Sequence, residues 1–115
     1  MSHLSNINID VASRLAVKYP SMLPIIIWKL DDGIILPKLK YLVKYSLTCA
    51  QFMYVVRKHI KNLTENEAIV LLVMTEDGNE IFVPMSQSIG ILYQQHNIDG
   101  FLRICILKEN SLLKF

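Results

Sequence analysis

A single amphipathic helix in the middle of the chain most constrains how this sequence can fold. Thr48-Cys49-Ala50-Gln51 has the form of a capping box, in which the threonine and glutamine side chains each accept a backbone N–H at a helix start. The apolar residues that follow recur at helical spacing: Cys49, Phe52, Met53, Val56 and Ile60. This pattern predicts a helix over residues 48–61 with one face in the core.

Runs of β-branched and aromatic residues on either side of this helix predict strands. Two of them, Ile25–Trp28 and Leu39–Tyr45, precede the helix and are expected to form a hairpin. After the helix, Ala68–Met74 is a continuous apolar run, which is typical of a strand buried on both faces. The remaining strands are predicted at Ile81–Val83 and Phe101–Leu107.

Two further helices are predicted from apolar residues at helical spacing. One covers residues 9–18, and the other begins at Ser86. The order of the elements places the central helix between two pairs of strands. It therefore predicts an α+β fold, a β-grasp in which a mixed four-stranded sheet wraps a central helix, with a helical extension at the N-terminus.

The chain has 115 residues, enough for one domain with a substantial core. No apolar run reaches the roughly 20 residues that cross a bilayer, and the N-terminus lacks the pattern of a secretory signal, so a cytosolic protein is expected. Six cations fall within 24 residues that contain no acid: Lys38, Lys40, Lys44, Arg57, Lys58 and Lys61. This segment is either a basic face for an acidic partner or membrane, or an ordinary solvated surface.

The sequence carries no pattern of converging catalytic or metal-binding groups. His3, His59 and His96 are far apart, and none has a companion at ligand spacing. A glycine-rich phosphate loop, a Gly-x-Ser-x-Gly element and a His-Glu-x-x-His element are all missing. We therefore expect neither enzyme activity nor a cofactor. Cys49 and Cys105 sit among apolar neighbours and are expected in the core. A net charge of only +2 argues against a nucleic-acid partner.

The second strand and the central helix carry a more specific resemblance. Lys40-Tyr41-Leu42-Val43, Leu47-Thr48 and Gln51-Phe52-x-Tyr54-Val55-x-Arg57-Lys58-x-Ile60 resemble the GABARAP-like autophagy modifiers, the autophagy-related protein eight family. Further matches follow in the family's order: Tyr19 with Pro24-Ile25-Ile26, Met85 with Leu92-Tyr93-Gln94-x-His96, and Asp99-Gly100-Phe101-Leu102 with Glu109-Asn110. The resemblance covers roughly residues 14–110.

This resemblance implies an N-terminal helical extension at residues 1–20, a ubiquitin-like β-grasp domain at 21–108 and a C-terminal tail at 109–115. It also implies that the second strand binds aromatic-x-x-aliphatic peptides of cargo receptors and autophagy adaptors by β-augmentation. Carried over to this sequence, the aromatic pocket is lined by Leu15, Pro24, Ile26, Lys40, Leu42 and Phe101. The aliphatic pocket is lined by Tyr41, Val43, Leu47, Phe52 and Val55, with Arg57 at its rim.

The C-terminal segment departs from the family pattern. Leu113 stands where the family has the glycine that is joined to phosphatidylethanolamine, and we expect leucine to block that chemistry. The resemblance is also compatible with contacts to autophagy conjugation enzymes and with association with a membrane. We expect a location in the cytoplasm, at the autophagosome or at another vesicle membrane. Two alternatives stay open, a modifier joined to a protein (the autophagy-related protein twelve type) and a non-conjugated scaffold.

Overall fold

The computed structural model describes Arg14 and residues 17–110. Within this part of the chain, five strands and two helices follow one another in the order β1 (Met22–Leu30), β2 (Lys40–Lys44), α1 (Cys49–His59), β3 (Ile69–Met74), β4 (Glu80–Phe82), α2 (Ile89–His96) and β5 (Leu102–Lys108). Of the helix predicted over residues 9–18, Arg14, Val17 and Lys18 are helical, and the other residues lie outside the described part.

The strands form one mixed sheet in the order β2-β1-β5-β3-β4. The central strands β1 and β5 are parallel, whereas every other neighbouring pair is antiparallel. The expected count of four strands was therefore one too low. The short strand predicted at Ile81–Val83 forms at Glu80–Phe82, pairs with β3 at the far edge and is the fifth strand of the sheet. The α+β β-grasp architecture itself is confirmed.

The core lies between one face of the sheet and helix α1. Alternation along the strands puts Ile25 and Ile27 of β1 on this face, and helical spacing brings Phe52 and Val56 of α1 against it. We call it the helix face of the sheet, and the opposite one the outer face. Cys49 and Cys105 are both buried, as expected, and burial raises the pKa of their thiols to about 11 and about 12.

Helix α1 begins with the capping box that the sequence predicted. The backbone N–H of Gln51 donates to Thr48 Oγ1 at 3.1 Å, and the backbone N–H of Thr48 donates to Gln51 Oε1 at 2.9 Å. Both bonds satisfy donors that a helix start leaves free, so they fix where α1 begins relative to the end of β2.

The loop between β1 and β2 is tied to the end of α1. The side chain of Asn62 accepts the backbone N–H of Ile35 at 2.9 Å and donates to the carbonyl of Gly33. The backbone N–H of Lys61 also donates to the carbonyl of Ile35, at 2.9 Å. These bonds hold the approach to β2 in place without covering the strand. None of the described helices combines the length and the apolar character that a membrane span needs.

Candidate functional site

Strand β2 is an edge strand of the sheet. It pairs with β1 through the antiparallel register Met22↔Lys44 to Ile26↔Lys40, and no other described strand lies along its second side. On the outer side of an edge strand every second residue directs its N–H and C=O away from the sheet, where an added strand can pair with them. Tyr41 and Val43 turn towards the helix face and are buried, whereas Lys40 and Lys44 are exposed on the outer face.

A pocket of about 430 Å³ opens beside β2 on the outer face. It is lined by Pro24, Ile25, Lys38, Lys40, Tyr41, Leu42 and Phe101. We call it the outer-face pocket. Of the predicted aromatic pocket, Pro24, Lys40, Leu42 and Phe101 come together here. Ile26 is only 1% exposed and lies outside the lining, and Leu15 is outside the described residues.

A second pocket of about 450 Å³ lies between β2 and α1. It is lined by Met22, Lys38, Tyr41, Leu42, Val43, Lys44, Ser46, Leu47, Gln51 and Val55. We call it the helix-face pocket. Of the predicted aliphatic pocket, Tyr41, Val43, Leu47 and Val55 are brought together. The polar residues Ser46 and Gln51 were not foreseen, although their closeness to Leu47 and to the capping box was a signal.

Two residues predicted for this second pocket lie elsewhere. Phe52 is 0% exposed and belongs to the core behind Tyr41. Arg57 points its guanidinium at the loop after α1. Its Nη2 donates to the carbonyl oxygens of Thr64, Glu65 and Glu67, at 3.1, 3.4 and 2.6 Å. Phe52 thus packs against Tyr41 from the core, whereas Arg57 stabilises the loop after α1, and neither lines the helix-face pocket.

Tyr41 forms a wall shared by the two pockets. Its hydroxyl donates to the carbonyl oxygen of Lys38 at 3.0 Å, and the Lys38 ammonium lies 4.9 Å from the centroid of the Tyr41 ring. Burial raises the pKa of Tyr41, so its phenol stays protonated and keeps this donor bond at neutral pH. Lys38, which the sequence reading missed as a site residue, thus touches both pockets. It lies two residues before Lys40, ahead of the first residue of β2.

We call the two pockets together with the edge of β2 between them the groove, and the charged side chains that line it among the described residues are all lysines. Ion pairs join Lys29 to Glu80 at 2.9 Å and Lys108 to Glu67 at 3.4 Å, and both lie outside the two pockets. Lys38, Lys40 and Lys44 line the pockets and are not part of these pairs. The charged groups of the groove therefore suit a partner that brings carboxylates of its own.

A mixed β-grasp sheet wrapped on one main helix defines a ubiquitin-like protein. Residues 8–112 match the family model described as "Autophagy protein Atg8 ubiquitin like". The chain belongs to the Atg8 family of ubiquitin-like autophagy proteins, which confirms the resemblance found in the sequence. Proteins of this family are ubiquitin-like modifiers and, in general, not enzymes.

Individual relatives agree with the family match. Autophagy-related protein 8 of Schizosaccharomyces pombe is 38% identical over 103 residues, which cover 87% of this chain and 80% of that protein. Autophagy-related protein 8 of Emericella nidulans is 37% identical over 103 residues, which cover 87% of this chain and 82% of the relative. The crystal structure of Trypanosoma brucei ATG8 superposes with a TM-score of 0.70 at 32% identity, covering 88% of this chain and 84% of the other.

Proposed function

We propose that this chain recruits cargo receptors and adaptors in autophagy by binding their aromatic-x-x-aliphatic peptides as an added strand on β2. The observation that carries the proposal is the position of the two pockets. Both border the edge strand β2 through Tyr41 and Leu42, and one extends to Pro24 and Phe101 while the other extends to Leu47 and Val55. A peptide strand beside β2 could fill both at once.

The spacing of such a motif fits this arrangement. Side chains along a strand alternate between its faces, so residues three apart point to opposite sides. On β2 itself, Lys40 lines the outer-face pocket, and Val43, three residues later, lines the helix-face pocket. An aromatic residue beside Lys40 would enter the first pocket, and an aliphatic residue three positions on would enter the second. Backbone pairing then supplies affinity, and the pockets supply selectivity.

The test is a titration of the labelled protein with a Tyr-x-x-Leu peptide, followed by NMR. We expect chemical-shift changes to cluster at residues 40–43 and around both pockets. Leu42→Ala, which removes a side chain common to the two pockets, should weaken binding by at least about five-fold. Tyr54→Ala is the matched control, because Tyr54 is 63% exposed on α1 and lines neither pocket.

A second peptide tests the geometry itself. In a Tyr-x-Leu peptide the two side chains are an even number of residues apart and point to one face, so only one pocket can be filled. We expect this peptide to bind much more weakly than Tyr-x-x-Leu. Equal binding of the two peptides, or no binding of either at millimolar concentration, would refute the proposal and leave a scaffold or a protein-joined modifier as the reading.

The proposed partners place the protein in the cytoplasm and at autophagosomal membranes. Conjugation to phosphatidylethanolamine through position 113 stays predicted not to occur, since a leucine stands there. Leu113 lies outside the described residues. Incubation with the family's processing and conjugating enzymes, followed by mass spectrometry, tests this part separately. A lipid adduct would contradict it.

A further inference from the structure

Strand β2 carries a lysine at each end on the same face. Lys40 and Lys44 alternate with Leu42 along the outer face, and both lysines are exposed. Neither takes part in the ion pairs of the described residues. The residue that faces Lys44 across the sheet is Met22, which carries no charge. Within the described part of the chain, each end of the binding edge thus presents an ammonium group whose partner residue on β1 is uncharged.

The order of the pockets gives the direction of a bound peptide. Along β2 the outer-face pocket ends at Leu42, whereas the helix-face pocket, which also includes Lys38, continues through Val43 and Lys44 to Leu47. A motif whose aromatic residue comes first must therefore run parallel to β2. With the aromatic residue beside Lys40, the aliphatic residue lies beside Val43.

The residue after the aliphatic one then lies beside Lys44. Adjacent strands are about 4.8 Å apart, and side chains on neighbouring strands at the same level share a face. This next residue points to the outer face, as Lys44 does. We propose that Lys44 selects an acidic residue immediately after the aliphatic position of the motif. The inference rests on the proposed peptide-binding function and adds a charge preference at one further position.

Lys44 is well suited to this selection. Its ammonium is exposed, so an approaching carboxylate loses little hydration, and the described residues that line the neighbouring helix-face pocket include a second cation, Lys38, and no acid. The gain is that of a solvent-exposed ion pair, which corresponds to about two- to five-fold in affinity. A lysine at the same peptide position should bind more weakly than a glutamine, because like charges at adjacent strand positions repel.

The experiment compares three Tyr-x-x-Leu peptides with neutral flanks that carry Glu, Gln or Lys directly after the leucine. Each is titrated by calorimetry against wild-type protein, Lys44→Gln and Lys40→Gln. In wild-type protein we expect the Glu peptide to bind about two- to five-fold tighter than the Gln peptide. The difference should vanish in Lys44→Gln, persist in Lys40→Gln and shrink in 1 M NaCl, where screening acts within about 3 Å.

A charge swap completes the design. Lys44→Glu should reverse the preference, so that the Lys peptide binds tighter than the Glu peptide. A preference for Glu that survives in Lys44→Gln, or that is lost equally in Lys40→Gln, would overturn the inference while leaving the groove intact. If the Gln peptide fails to bind wild-type protein at all, the proposed function fails and the inference falls with it.

Discussion

The ring of Tyr41 meets the ring of Phe52 edge to face, with centroids 5.3 Å apart and ring planes at 81°. Tyr41 is 5% exposed and Phe52 is fully buried, so this contact joins β2 to α1 inside the core. Edge-to-face packing of this kind adds to the free energy that burial alone supplies. Phe52 therefore fixes the position of the residue that separates the two pockets.

Truncation of Phe52 should lower the free energy of unfolding, and any effect on peptide binding should follow from that loss. Phe52→Ala leaves a cavity beneath Tyr41, and we expect the free energy of unfolding to fall by about 3–5 kcal/mol in urea denaturation. Tyr54→Ala, on the exposed side of the same helix, should change it by less than about 1 kcal/mol. A Phe52→Ala protein of normal stability that no longer binds peptide would instead place Phe52 in the groove.

Replacement of Arg57 should loosen the loop after α1. In Arg57→Gln the carbonyls of Thr64 and Glu67 lose a charged donor, so amide hydrogen exchange across residues 64–67 should accelerate. The free energy of unfolding should fall by about 1–2 kcal/mol. Peptide affinity should stay within about two-fold, because the guanidinium faces away from both pockets.

Lys58→Gln is the matched control for this loop. Lys58 is a cation in the same helical turn, and its ammonium lies 4.3 Å from the centroid of the Tyr54 ring instead of on the loop. We expect unchanged exchange across residues 64–67. If Arg57→Gln strongly lowers peptide affinity and leaves the loop unchanged, Arg57 contacts the peptide at the rim of the aliphatic pocket, as the sequence predicted.

Gly90 in α2 makes room for Tyr45. A Cβ at position 90 would come within 2.2 Å of the Tyr45 ring, so Gly90→Ala must displace the ring and its hydroxyl bond to Gln94 Oε1, which is 3.1 Å long. We expect a loss of about 1–3 kcal/mol in thermal or urea unfolding. In a Tyr45→Ala background the same change should stabilise α2 by up to about 1 kcal/mol, because alanine favours helix. The same effect in both backgrounds would contradict the contact.

Acid should destabilise the protein partly through Glu67. The backbone N–H of Thr64 holds the pKa of this carboxyl below its ordinary value of 4.5, helped by the Thr64 hydroxyl and by Lys108. A folded-state pKa below the unfolded one gives stability that is complete above pH 4.5 and is lost as the pH falls through the folded value.

Glu67→Gln should therefore flatten the acid side of the stability profile below pH 4.5, as measured by urea unfolding at a series of pH values. Glu76→Gln serves as the control, because Glu76 is exposed and makes no hydrogen bond among the described residues. An unchanged acid limb in Glu67→Gln would show that the Thr64 bonds do not favour the charged form.

The strands, the two described helices and the capping box could be predicted because each leaves a periodic or short-range signal in the sequence. Which of the predicted site residues line a pocket and which lie in the core could not be predicted. Phe52 and Val55 both follow helical spacing, and only the packing of β2 on α1 makes one a core residue and the other a pocket wall. Arg57 binds backbone carbonyls, which carry no side-chain signature. Lys38 precedes β2, so strand alternation alone did not bring it into the site.

The two lysines of β2 also oppose pairing of the open strand edge with the same edge of a second copy. If two copies paired antiparallel through this edge with Leu42 at the centre, Lys40 of each would lie directly opposite Lys44 of the other. Like charges in that position oppose pairing, and lysines on edge strands are a common protection against aggregation. The same residues that would attract an acidic peptide thus keep the protein from adding its own strand.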